Sequence, residues 1–264
     1  MKRILITGKG SYIGTSLASY LQQFPQDYRV NTVDMMGDAW RDTDFSVYDV
    51  VFHVAGIAHI KETVENAHLY YEVNRDLAVD TAEKAKKAGV KHFIFLSSMS
   101  IYGKIEGVIT ADTKPDPSSN YGKSKWQAET QIAALCDDSF AVSVLRPPMV
   151  YGDGCKGNYQ ALVKLAKIAP FCPDYTNQRS MVSITTLCTY VKNLIDRCKS
   201  GIFFPQEADY VCTCRMIADI AAQNGKKIPL TRLLNPVVSL AKCTVKGKKA
   251  FGNLIYRDLT YLPL

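Results

Sequence analysis

The spacing of apolar and polar positions changes repeatedly along this chain, and the changes come in strand-then-helix pairs. Residues 2–7, KRILIT, are a short apolar run ended by glycines, the pattern of a buried strand. Residues 12–23, YIGTSLASYLQQ, then put Ile13, Leu17, Ala18 and Leu21 on one helical face. YRVNTVD (28–34) and DVVFHVA (49–55) read as strands, and 66–88 as one long amphipathic helix closed by Gly89. KHFIFLSS (91–98) is another apolar strand, 121–135 a helix, and FAVSVLRP (140–147) a strand stopped by prolines. Strands alternating with helices predict an α/β fold, a doubly wound parallel sheet covered on both faces. After residue 150 the pattern loosens, with more prolines and shorter elements. The chain is expected to divide into a body over 1–150 and a smaller lobe over 151–264, some of whose elements return to the sheet.

In such sheets ligands bind outside the carboxyl ends of the strands. Gly8, Asp34, Ala55 with Gly56, Ser97 with Ser98, and Arg146–Pro148 all follow predicted strands and converge on that one edge.

At 264 residues, 47% hydrophobic and 22% charged, the chain can bury a large core without staples. There is no apolar run long enough to cross a bilayer, and the apolar part of MKRILITGKG is too short for a signal peptide, so a cytoplasmic location is expected. The net charge of +7 has one source. Eight basic residues against Asp258 follow residue 225, which leaves residues 1–225 neutral. The body is therefore no nucleic-acid surface, while the basic tail suits weak contact with anionic lipid or a phosphate-bearing substrate. The eight cysteines include a C-x-C at Cys212 and Cys214 with no second pair at metal spacing, so inert thiols and no metal are expected. His53, His59, His68 and His92 read as satisfied histidines; His59 follows a strand end nearest the expected pocket.

ITGKGSYIG sets Gly8, Gly10 and Gly14 between the first strand and its helix, with Ser11, Tyr12 and Ile13 inside the turn. Glycines let backbone approach a pyrophosphate, and the helix start offers free N–H groups and a positive dipole end. Asp34 lies 20 residues past Gly14 at the end of the second strand, placed to bind ribose hydroxyls. A carboxylate there repels a 2′-phosphate, so NAD is expected over NADP. In NYGKSK, Tyr121 and Lys125 stand one helical turn apart on one face. A tyrosine is a poor base at neutral pH unless a nearby ammonium lowers its pKa, which is what this spacing predicts.

Together these residues resemble the extended short-chain dehydrogenase/reductase superfamily, and within it the NAD-dependent sugar-nucleotide epimerase/dehydratase branch. The resemblance covers essentially the whole chain, most specifically residues 4–152. It implies a Rossmann-type fold with a dinucleotide-binding domain over 1–150 and a small C-terminal, mainly substrate-binding lobe over 151–264. The glycine fingerprint TGKGSYIG departs from the family's in one place, where Ser11 stands at a usual glycine and Gly10 precedes it. HVAGIAH is similar to the second cofactor segment, giving Val54, Ala55 and Gly56 as contacts. Ser98 in SSMSIYG takes the place of the catalytic hydroxyl, Ser100 that of a further substrate contact, and Tyr121 and Lys125 that of the Tyr-x-x-x-Lys pair. The resemblance also implies Pro147 near the nicotinamide, Asp44 and Phe45 at the adenine, Asn158 on substrate, and Arg179 in NQRSMVSI on the nucleotide diphosphate.

The branch runs several chemistries. A 4,6-dehydratase carries an Asp-Glu pair directly after the catalytic hydroxyl, where this chain has Met99 and Ser100. A 4-keto-sugar reductase usually draws on NADPH, which Asp34 disfavours. What fits is an NAD-dependent 4-epimerase of a UDP-hexose or UDP-N-acetylhexosamine in surface-polysaccharide synthesis, or of a related polyprenyl-linked sugar. A catalytically idle dinucleotide binder is the reading from another class. Such proteins commonly lose the tyrosine or lysine, which this chain keeps. Related enzymes form homodimers through two helices per subunit, for which 66–88 and 121–135 are the candidates.

Overall fold

The computed structural model describes residues 1–58, 60, 62–155 and 157–259, with the backbone alone at Asn158. In chain order its elements are β1 (Lys2–Thr7), α1 (Tyr12–Leu21), β2 (Tyr28–Val33), β3 (Val50–His53), α2 (Ala67–Tyr71), a π-helical segment (Glu72–Asp76), α3 (Leu77–Lys87), β4 (His92–Leu96), β5 (Gly107–Ile109), α4 (Asn120–Ala133) and β6 (Ala141–Leu145). Then come β7 (Met149–Tyr151), α5 (Asn158–Ile168), β8 (Cys172–Pro173), β9 (Met181–Ser183), α6 (Ile184–Arg197), β10 (Gly201–Phe203), α7 (Thr213–Gln223), β11 (Leu230–Thr231), α8 (Asn235–Ala241), α9 (Val245–Phe251) and β12 (Leu254–Tyr256).

Six strands form one parallel sheet in the order β10-β6-β4-β3-β1-β2. Period-two alternation decides which face each side chain serves. Ile4, Ile6, Phe52, Ile94 and Leu145 point to one face, where α1 and α6 cover them with Leu17, Leu21, Leu187 and Leu194. Leu5, Val51, Phe93, Phe95 and Val144 point to the other, under Ala78, Ala82 and Ala85 of α3 and Ala128 and Ile132 of α4. The small alanines let α3 lie close on the sheet. The strand order reverses between β1 and β3, so a crevice opens there at the carboxyl edge.

One sequence expectation shifts. The helix expected over 66–88 is interrupted, because the π-helical segment Glu72–Asp76 carries the buried Asn74 inward. The connection from β2 to β3 has a short 3-10 turn (Ala39–Asp42), and Met35, Trp40 and Phe45 plug the sheet face there.

Two elements from after residue 150, β10 and α6, complete the sheet and its α1 side. The rest of the C-terminal half has its own core around Cys155, Tyr159, Ala166, Ile217, Ile220 and Ile228. β12 pairs with β5, tying the chain's end to the segment that follows Ser98.

Candidate active site

The turn after β1 is built for close approach. Gly8 has φ +86°, and a Cβ there would sit 3.0 Å from the Ala55 backbone, so only glycine lets this turn pass β3. A Cβ on Gly14 would meet Ser11 Oγ at 2.6 Å and Ile6 and Val54 at 3.1 Å, which packs α1 tightly on the strands. Ser11, at the family's glycine position, caps α1: its Oγ accepts from the Gly14 N–H at 3.2 Å. Helix geometry leaves the first-turn amides of Tyr12 and Ile13 without intrahelical partners, and Gly10, at φ +78°, has open space before it. Asp34 is exposed at the end of β2, next to Val33, whose carbonyl accepts from the Gly8 and Lys9 N–H groups at 3.0 and 3.1 Å. Close backbone, free amides, a helix dipole and a carboxylate 20 residues on are a donor set that fits a dinucleotide pyrophosphate and ribose.

The second cluster lies at the ends of β3 and β4. Lys125, on α4, is 4% exposed, and its Nζ donates to the Leu96 carbonyl at 2.9 Å and lies 4.8 Å from the Phe95 ring centre. Burial lowers its ammonium to about 8. A Cβ on Gly56 would stand 2.7 Å from Asn74 Oδ1 and 3.3 Å from Lys125 Nζ, so the loop after β3 runs directly over both. Ser98 follows β4 and caps a 3-10 turn (Met99–Tyr102), its Oγ accepting from the Ser100 N–H at 3.1 Å and donating to Ser100 Oγ at 3.2 Å. Ser98 lies near the Tyr121 phenol and favours its ionised form, and the Tyr121 ring meets Tyr70 edge-on with centres 6.5 Å apart. Ser98, Tyr121, Lys125, Ser100 and Gly56 are thus brought to one place.

The phenol of Tyr121 corrects one expectation. Its pKa is raised by burial, with Ser98 pulling the other way, and Lys125 is not among the causes. Tyr–Lys spacing alone does not make a phenolate here, because burial of the phenol outweighs the pull of Ser98 and the Lys125 Nζ is directed at the Leu96 carbonyl.

Other expected residues are placed differently. Phe45 is 1% exposed within the core below Lys84, so only its backbone is left for a ligand. Asp44 is exposed and turned to its neighbour, accepting from Ser46 N and Oγ at 2.9 and 2.7 Å. Arg146 follows β6 at the ligand edge, but its side chain points inward to an ion pair with Glu129, to Tyr102 Oη at 2.6 Å, and under Trp126. Pro147 is buried and its carbonyl accepts from the Met99 N–H at 2.9 Å, holding the serine turn against β6. Arg179 lies in the C-terminal half, half-buried, with Nη1 donating to the Gly252 carbonyl at 3.0 Å. Val54 and Ala55 are buried at the crevice floor. The Asn158 side chain and His59 lie outside the described residues.

Sequence reasoning missed Asn74 and Glu129. Asn74 clamps Ile57, Oδ1 accepting from its N–H at 2.8 Å and Nδ2 donating to its carbonyl at 3.0 Å. Glu129 accepts from Ser97 Oγ at 2.8 Å, so Ser97 faces the ion pair while Ser98 faces Tyr121. Neither carries a local signal: one depends on a π turn, the other on a partner 17 residues away.

His53 and His92 are buried, with Thr7 Oγ1 and Ser143 Oγ as partners at 3.0 and 2.7 Å. No group of His, Cys, Asp and Glu suited to a metal occurs among the described residues, and the eight cysteines are unbridged. No helix of the described residues is long and apolar enough to cross a membrane.

Residues 4–169 match the model of a family described as "NAD dependent epimerase/dehydratase family". A UDP-glucose 4-epimerase of Vibrio cholerae is 34% identical over 248 residues, covering 83% of this chain and 75% of that protein. An N-acetyl-alpha-D-glucosaminyl-diphospho-ditrans,octacis-undecaprenol 4-epimerase of Escherichia coli O157:H7 is 25% identical, covering 89% and 76%. Among solved structures, a UDP-glucuronic acid 4-epimerase from Bacillus cereus in complex with NAD superposes with a TM-score of 0.72 at 19% identity, over 97% of this chain and 89% of that one, a likeness of fold.

Proposed function

The chain belongs to the NAD dependent epimerase/dehydratase family, and we propose that within it the protein is a 4-epimerase of a UDP-hexose or UDP-N-acetylhexosamine serving surface-polysaccharide synthesis. The observation that carries this reading is the cluster of Ser98, Tyr121 and Lys125 at the crevice edge, in a chain 34% identical to a UDP-glucose 4-epimerase. The cofactor is NAD, for which the Gly8–Gly14 turn and Asp34 are the fitting donor set. Bound NAD supplies a reversible hydride acceptor.

The chain's own residues divide the remaining work. Tyr121 holds the proton exchanged with the sugar hydroxyl at the reacting carbon, and Ser98 Oγ bridges phenol and sugar oxygen. Lys125 fixes the site's floor through Leu96 and orients the cofactor ribose. Arg179, with Ser100 and Asn158, binds the nucleotide diphosphate and sugar. Gly8, Gly10, Ser11, Tyr12, Ile13 and Gly14 hold the pyrophosphate, Asp34 the adenosine ribose, the backbone at Asp44 and Phe45 the adenine, and Val54, Ala55, Gly56 and Pro147 the nicotinamide side. Residues 1–150 form the NAD domain and 151–264 mainly the substrate lobe. The protein acts in the cytoplasm as a homodimer through α2–α3 and α4.

Met99, 9% exposed, and Ser100 supply no acid–base pair, which leaves the site without the groups for dehydration. A second reading keeps the chemistry and changes the carrier to a polyprenyl-diphosphate sugar. The undecaprenol-linked relative and the basic C-terminal segment, in weak contact with the membrane surface, favour it. The reaction type is tested by offering NADPH with a 4-keto sugar nucleotide. An epimerase leaves the nicotinamide absorbance unchanged, whereas stoichiometric loss of it would make the protein a reductase.

A further inference from the structure

Half of the exposed large hydrophobic side chains among the described residues come from two segments, 165–171 and 230–245. The two segments meet. β8 pairs with β11, and Leu165, Phe171, Val237, Val238 and Ala241 line one apolar hollow of about 210 Å³. Beside it Leu233, Val237 and Leu240, at spacings of four and three, are 88%, 61% and 74% exposed, a stripe on the outer face of α8 and the turn before it. Ile168, 76% exposed, ends α5, whose Leu165 lines the hollow.

The rim is cationic. Lys226 is used locally, donating to the Lys167 and Ala169 carbonyls at 2.8 and 2.7 Å. Lys242 and Lys248 flank Glu106, and Arg232 pairs with Asp174. Lys164, Lys167, Lys227, Lys246 and Lys249 are exposed and have no acidic partner among the described residues. The segment from residue 226 onward carries the molecule's entire excess of +7.

We propose that this face docks on an anionic phospholipid bilayer, with Leu233, Val237 and Leu240 entering the interface and the lysines meeting headgroup phosphates. An apolar stripe bordered by lysines is the pattern of an interfacial surface. Charge argues against the competing occupant. Two copies meeting through this same face would set its lysines against each other, and a two-fold contact needs a self-complementary patch. The face borders the site: Phe251 lines the hollow, and the next residue's carbonyl accepts from Arg179. The proposal deepens the membrane contact named above and stands whichever sugar the site turns over.

The test is co-sedimentation of the full chain with phosphatidylglycerol-containing vesicles and with pure phosphatidylcholine vesicles. Binding is expected to the first only, and to weaken as salt rises. Leu233→Ser/Val237→Ser/Leu240→Ser and Lys227→Gln/Lys246→Gln/Lys249→Gln are each expected to weaken it about tenfold or more, with thermal midpoints and turnover of water-dissolved substrate kept. Absence of binding to anionic vesicles overturns the proposal. So does binding that the serine variant leaves intact, or a self-association seen by sedimentation that the serine changes abolish. Failure of epimerase turnover touches none of these readouts.

Discussion

Tyr121 sits in a site that resists its ionisation, and Lys125 in one that resists its protonation, burial being the leading cause for both. Tyr121→Phe keeps the ring against Tyr70 and removes the proton carrier. Turnover is expected to drop about 10²–10⁴-fold with the thermal midpoint nearly unchanged, a comparison of initial rates and melting curves. Lys125→Met separates function from stability. The buried ammonium has one carbonyl partner, so its folded pKa lies below the usual lysine value. The folded state carries its penalty in full below about pH 8 and loses it as pH rises toward the unfolded value of about 10.5. The methionine variant is expected to be as stable as the parent or more so at pH 7, with turnover lost; a marked drop in urea midpoint at pH 7 would contradict this. The Tyr–Lys pair was legible from spacing because helical geometry makes i and i+4 neighbours. The direction of the tyrosine's shift was not, because the phenol is buried by tertiary packing, Tyr70 lying edge-on to its ring, which no local pattern reveals.

At the scale of elements, the site edge rests on a buried ion pair. Arg146 follows β6, Glu129 lies on α4 and Ser97 follows β4, so one carboxylate ties together the three elements that present Pro147, Tyr121 and Ser98. Glu129→Ala leaves a buried guanidinium unpaired and is expected to cost about 3–5 kcal/mol in urea unfolding. Adding Arg146→Met is expected to recover much of that loss; equal loss in both variants would mean the pair does not carry the junction. Strand ends and the glycine turn were readable because apolar runs and glycines are local signals. The interruption at Asn74 was not, since Leu69, Val73 and Leu77 keep a helical spacing through the π turn. What selects the turn is tertiary: Asn74 satisfies both backbone groups of Ile57 and reaches Ser124 Oγ at 3.3 Å.

For the whole molecule, the sheet carries two neutral histidines in its core. Burial lowers His53 to about 3 and His92 to about 4. The unfolded chain takes up protons below about pH 6.5 and the folded one resists them, so stability present above that pH is lost as pH falls toward the folded values. The urea midpoint is expected to fall between pH 6.5 and 5 and to fall less steeply in His53→Gln; identical slopes would contradict the assignment. The doubly wound body could be read from alternation alone, while the C-terminal half could not, because its short strands find partners far away in sequence, as β12 does with β5.

The proposed activity is inversion of one sugar carbon by a protein that carries its own NAD. The measurement is a proton NMR time course of the purified protein with UDP-glucose or UDP-N-acetylglucosamine and no added cofactor. The galacto-configured product is expected to grow to a constant ratio with substrate, and to be absent with Tyr121→Phe. Unchanged spectra for both sugars, from protein shown to contain NAD, would contradict it.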